Sequence, residues 1–95
     1  MTIYSAPLAD INFVLEKFCR LNDITSLPHF ANVDTSVVGE MLSEAARFFE
    51  NQFAPLNSVG DKVGSHRNAD GSVTTPPGFK EAYQQYAQGG WQGLQ

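Results

Sequence analysis

Cys19, His29 and His66 are the residue types from which a thiolate–imidazole nucleophile is assembled. Cys19, however, falls on an apolar helical stripe, where a thiol packs as a small hydrophobe, so the core reading is preferred. Ser65-His66 beside Asp61 supplies the residue types of a hydrolytic triad. Neither a strand-turn-helix elbow nor an oxyanion-forming Gly-rich turn accompanies them, and the segment reads as a solvated polar loop. His66, Asn68 and Asp70 before Gly71 imitate the opening of a calcium loop. The match fails, because His66 stands where an aspartate is required and the closing bidentate carboxylate falls on Pro77. Gly89-Gly90-Trp91-Gln92-Gly93 is glycine-rich, but it follows a helical pattern instead of preceding one, and no Lys-Ser/Thr pair stands by for a phosphate. Phe79, Tyr83, Tyr86 and Trp91 have the chemistry to stack on a base or a flavin, yet at helical spacing such residues normally build a core. No catalytic, cofactor-binding or metal-ligating residue is therefore assigned.

The elements that would have to position these groups are helices. From Pro7 to Leu21, Leu8, Ile11, Val14, Leu15, Phe18, Cys19 and Leu21 share one face at about 100° per residue, opposite Asp10, Asn12, Glu16 and Lys17. Ser5 is the expected cap, with Pro7 just inside the start, and Phe13 lies off the stripe. Residues 22–32, with Pro28, read as a connector holding one turn around Ile24 to Leu27. A second helix is predicted from the N-cap Asp34 to about Val59. Its apolar half is Val37, Val38, Met41, Leu42, Ala45, Ala46, Phe48, Phe49, Phe53, Leu56 and Val59, and Pro55 should kink it. Residues 67–75 resemble a small hairpin or loop around Asp70-Gly71. Pro77 and Gly78 open a short C-terminal helix with Phe79, Ala82, Tyr83, Tyr86 and Ala87 on one face, and Gly89 and Gly90 close it. The expected class is all-α: a partial N-terminal helical domain with a kinked long helix. Because Trp91 and Leu94 follow that exit and need cover, the chain reads as interrupted after Gln95.

Bulk properties narrow the partners. Ninety-five residues allow at most one domain with a modest core, and 42% hydrophobic with 12% aromatic content is ordinary for a folded protein. Ten acidic residues against six basic ones give a net charge of -4. The cations Lys17, Arg20, Arg47, Lys62, Arg67 and Lys80 are scattered, which disfavours nucleic acid and anionic membrane surfaces. No apolar run is long enough for a membrane span, a single cysteine closes no internal disulfide, and Met1 to Asp10 has no secretory pattern. A cytoplasmic location fits these features.

The run Ala54-Pro-Leu-Asn-Ser-Val-Gly-Asp61, the segment Gly71-Ser-Val-Thr-Thr-Pro-Pro-Gly-Phe-Lys-Glu-Ala-Tyr83 and Gly90-Trp-Gln-Gly-Leu94 resemble, in order and interval, the start of the acyl-CoA dehydrogenases. Tyr4-Ser-Ala-Pro-Leu-Ala-Asp-Ile-Asn-Phe-Val-Leu15 resembles the N-terminal extension of larger bacterial members, so the likeness spans nearly the whole chain. The resemblance implies residues 1–33 as that extension and residues 34–95 as the start of an N-terminal helical domain, incomplete at its C-terminus. It further implies a parent enzyme with FAD, converting a saturated acyl-CoA to the 2,3-enoyl-CoA and passing electrons to electron-transfer flavoprotein. Partners would be the remainder of that enzyme and its sister subunits. The family's catalytic glutamate and flavin contacts lie downstream, so the 95 residues alone are expected to be inactive and to hold no FAD. The alternative from another class is a free-standing helical module that docks a partner through its apolar surface.

Overall fold

The computed structural model describes residues 3–94. It is all-α apart from one two-stranded hairpin, and it divides into two compact units, Met1–Glu50 and Asn51–Gln95.

In the first unit the chain enters helix α1 (Leu8–Phe13) through an inverse γ-turn at Pro7, whose φ and ψ are -80° and 68° and across which the Leu8 N–H donates to the Ala6 carbonyl. No side chain caps this helix, so the expected role of Ser5 is not realised. Nor is the expected single helix to Leu21. After Phe13 the backbone widens into a π segment, Val14–Phe18, sealed by the Cys19 N–H on the Val14 carbonyl. Arg20 then turns left-handed, at φ 55°, before α2 (Leu21–Thr25). An i→i+5 turn advances each residue by a smaller angle than an α turn. The stripe therefore splits. Leu8, Ile11, Leu15 and Leu21 are half-buried, but Val14 and Cys19 are exposed and Phe18 is 84% exposed. The core placement of Cys19 is thus corrected by the π turn. The turn expected around Ile24 to Leu27 is instead α2 followed by a 3-10 turn at Pro28–Phe30.

Helix α3 (Thr35–Phe48) starts where Asp34 predicts. The Asp34 Oδ1 accepts from the Val37 N–H at 2.9 Å and from the Ser36 hydroxyl at 2.6 Å. These bonds hold the Asp34 carboxyl below its ordinary pKa, the Ser36 hydroxyl being the larger cause. Of the apolar half, Ala46 is buried and Val38, Leu42, Ala45, Phe48 and Phe49 are half-buried, while Val37 and Met41 stay exposed. Glu50 accepts the Ala6 N–H at 2.7 Å and ties the start of the unit to its end.

Helical structure continues from α3 through a second π segment, Phe49–Phe53, and a turn at residues 54–55 into α4 (Leu56–Val63), making one long bent run over 35–63. Pro55 explains the interruption: it has no N–H, and its ring would collide with the carbonyl four residues back in a regular α-helix. A widened turn immediately before the proline relieves that collision. The run reaches Val63, past the expected Val59, and ends at Gly64 with φ 71°.

The second unit then forms β1 (His66–Arg67) and β2 (Val73–Thr74), antiparallel, with His66 opposite Thr74 and Arg67 opposite Val73. The Gly71 N–H donates to the Asn68 carbonyl, and the Asn68 N–H to the Ser72 carbonyl. This is a three-residue loop whose last position, Gly71 at φ 89°, needs positive φ. Gly78, at φ 88°, leads into α5 (Phe79–Gln88), and Gly90, at φ 77°, leads out of it into a 3-10 turn, Trp91–Leu94. Trp91 is half-buried, not exposed as its place after the exit suggested. Its indole folds back against Gly89, where a β-carbon would stand 2.9 Å from Nε1.

Candidate functional site

The second unit contains an apolar cleft of about 330 Å³ lined by Phe53, Leu56, Asn57, Phe79 and Tyr83. Phe53 comes from the end of the π segment, Leu56 and Asn57 from the first turn of α4, and Phe79 and Tyr83 from successive turns of α5. The cleft is therefore built where two of the sequence segments quoted above, 54–61 and 71–83, dock on each other.

Two glycines permit that docking. A β-carbon on Gly60 would lie 2.8 Å from Phe79 Cζ, and one on Gly78 would lie 2.8 Å from Leu56 Cδ2. The Phe79 ring thus rests on the bare backbone of α4. Ala82, one turn further along α5, is buried. Tyr86 is not part of the lining but contacts two of its rings. It meets Phe53 nearly edge-on, with centroids 6.1 Å apart and ring planes at 78°, and lies 6.1 Å from the Tyr83 ring. Tyr83 itself remains 65% exposed at the rim.

Such a lining can hold an apolar group and orient it through the Asn57 amide. It contains no carboxylate, imidazole, thiol or cation, and its polar groups are the Asn57 amide and the Tyr83 phenol. The groups weighed from the sequence lie elsewhere. Cys19 and His29 are both exposed in the first unit, and His66 is exposed on β1 in the second. Among the described residues, no hydrogen bond or ion pair joins Asp61, Ser65 and His66. Asp70 is engaged within its own loop: Oδ1 accepts from the Ser72 N–H at 2.9 Å and from the Ser72 hydroxyl at 2.6 Å. The Ser72 hydroxyl, then the Ser72 amide, hold this carboxyl below its ordinary pKa. Asn68 Nδ2 braces the same loop by donating to Ser72 Oγ and Thr74 Oγ1, each at 3.0 Å. Among the described residues no three His, Cys, Asp or Glu side chains converge as a metal site.

The aromatic face of α5 was visible as periodicity, but its meeting with α4 was not. One local sign existed: Gly60 sits inside an amphipathic helix, where glycine costs stability unless something approaches its backbone closely.

The chain is similar to the 3-methylmercaptopropionyl-CoA dehydrogenase of Ruegeria pomeroyi, with 34% identity over 91 residues that make up 96% of this chain and 15% of that protein. The chain thus spans a small part of that relative's length. No family model matches it, and no solved structure matches it. The resemblance to acyl-CoA dehydrogenases read from the sequence is borne out as similarity to part of a larger enzyme of this kind.

Proposed function

We propose that this chain is the N-terminal helical part of an FAD-dependent acyl-CoA dehydrogenase, structural in role and catalytically inert by itself. Residues 1–33 are the extension and residues 34–95 the start of the helical domain proper. The whole enzyme would remove two hydrogens from a saturated acyl-CoA to give the 2,3-enoyl-CoA, in the cytoplasm, with electron-transfer flavoprotein as electron acceptor. The similarity over nearly the full chain supports this reading.

The observation that carries the structural role is the state of the large apolar side chains. The buried hydrophobic residues among those described are Ala46 and Ala82, and no large side chain is fully enclosed. Phe13, Phe18 and Tyr83 are each more than half exposed. Helices that leave such faces open are suited to packing against further structure.

The cleft does not fit a flavin dinucleotide. Its lining has no cation to meet a pyrophosphate, and α4 enters through a proline that lacks a donor. In this reading FAD belongs to the remainder of the enzyme, and no residue of this chain is assigned to it. The nucleotide sequence after codon 95 tests the proposal. An in-frame continuation encoding a β domain and a helical bundle is expected, and a stop codon there in the native gene would refute it. The free-standing interaction module draws on the same open faces, but it leaves the similarity to the dehydrogenase unexplained.

A further inference from the structure

The hairpin tip carries a chemistry independent of the parent enzyme. Asp70 is followed by Gly71, whose missing side chain leaves its backbone nitrogen unhindered toward the preceding carboxyl group. Attack of that nitrogen on Asp70 Cγ closes a five-membered succinimide. The N–Cγ bond forms, the amide proton leaves, and the Cγ–O bond breaks with loss of one water. No oxidation or reduction is involved. Hydrolysis adds the water back, either at the side-chain carbonyl to restore aspartate or at the α-carbonyl to route the backbone through the side chain as isoaspartate.

The turn is exposed throughout residues 65–75, so no packing shields it. What restrains it is its own hydrogen bonding. Ser72 donates twice to Asp70 Oδ1, favouring the carboxylate, whose oxide is a poor leaving group, over the neutral acid that must react. The Gly71 N–H, the attacking group, is committed to the Asn68 carbonyl at 3.0 Å. Asn68 in turn is braced by Ser72 and Thr74.

We infer that Asp70-Gly71 is a site of spontaneous isoaspartate formation whose rate is governed by Ser72, the closed turn holding the reaction back and opening of the hairpin releasing it. Ageing of the intact chain at mildly acidic pH, followed by peptide mapping with fragmentation that distinguishes isoaspartate, tests this. Ser72→Ala should accumulate isoaspartate at position 70 at least roughly fivefold faster than wild type, because it removes the hydroxyl's bond to Asp70, worth about that factor alone, and the bond it accepts from Asn68. Ser72→Thr, which keeps the hydroxyl, should age like wild type, and wild type in urea should age faster than any folded variant. Absence of isoaspartate in the urea-unfolded chain would overturn the site. Equal rates for Ser72→Ala and wild type, or for Ser72→Ala and Ser72→Thr, would overturn the control by Ser72.

Discussion

The ring of Phe79 occupies the space beside Gly60 that a side chain would need, with Cζ only 2.8 Å from the position of an added β-carbon. Helix propensity alone would favour alanine at this site by about 1 kcal/mol. The clash opposes it, since overpacking typically costs about 1–3 kcal/mol. Gly60→Ala is therefore expected to destabilise the second unit by about 1 kcal/mol. In a Phe79→Ala background the same substitution should become stabilising by about 0.5–1 kcal/mol. Denaturant titration of the four proteins of this cycle would show the reversal of sign, and a stabilising effect in both backgrounds would mean that ring and backbone are not in contact.

Gly78 faces a double constraint. Its φ of 88° is strained for any side chain, and a β-carbon would also meet Leu56 Cδ2 at 2.8 Å. Gly78→Ala should cost about 1–3 kcal/mol and open the cleft between α4 and α5. Amide exchange at Ala82, whose N–H donates to the Gly78 carbonyl, should accelerate. Unchanged protection there would count against the described approach.

Asp34 should make the stability of α3 depend on acid. Its folded-state pKa is depressed by the Ser36 hydroxyl and the Val37 amide. The contribution is therefore fully present above the unfolded pKa and is lost as pH falls through the lower folded value. Helical signal in circular dichroism should accordingly decline below about pH 4. Asp34→Asn, which retains an acceptor, should flatten that part of the profile while keeping most of the helix, whereas Asp34→Ala should lose helix at every pH. Identical acid profiles for wild type and Asp34→Asn would remove Asp34 as the cause.

Glu50 closes the first unit on its own N-terminal segment through the Ala6 amide. Glu50→Ala should cost about 1 kcal/mol, less than a fully buried charged hydrogen bond because the site is half open. Hydrogen exchange at Ala6 should rise with it, and Glu50→Gln should show a smaller change. An Ala6 amide equally exposed in all three proteins would exclude the tether.

What could be read in the sequence was local. The α3 start rests on one cap residue and the following periodicity, and the hairpin rests on Asp70-Gly71; both lie within a few residues of their cause. The bend before α4 was likewise announced by Pro55, though not the π form it takes. The first helix misled because nothing in the types of Val14 to Phe18 marks the π turn that exposes Phe18 and Cys19, and Arg20, neither glycine nor asparagine, gives no sign of the φ of 55° that ends the run. The cleft was illegible for another reason. It depends on Gly60 and Phe79 meeting across the intervening hairpin, a tertiary contact to which helical periodicity is blind.

The proposed role, a structural portion of a flavin enzyme that performs none of its chemistry alone, is tested most directly by incubating the purified chain with FAD and a saturated acyl-CoA, removing unbound flavin and assaying with an electron-accepting dye. Colourless protein and no dye reduction above the rate without protein are expected. Yellow protein that reduces the dye in an acyl-CoA-dependent way would contradict this role.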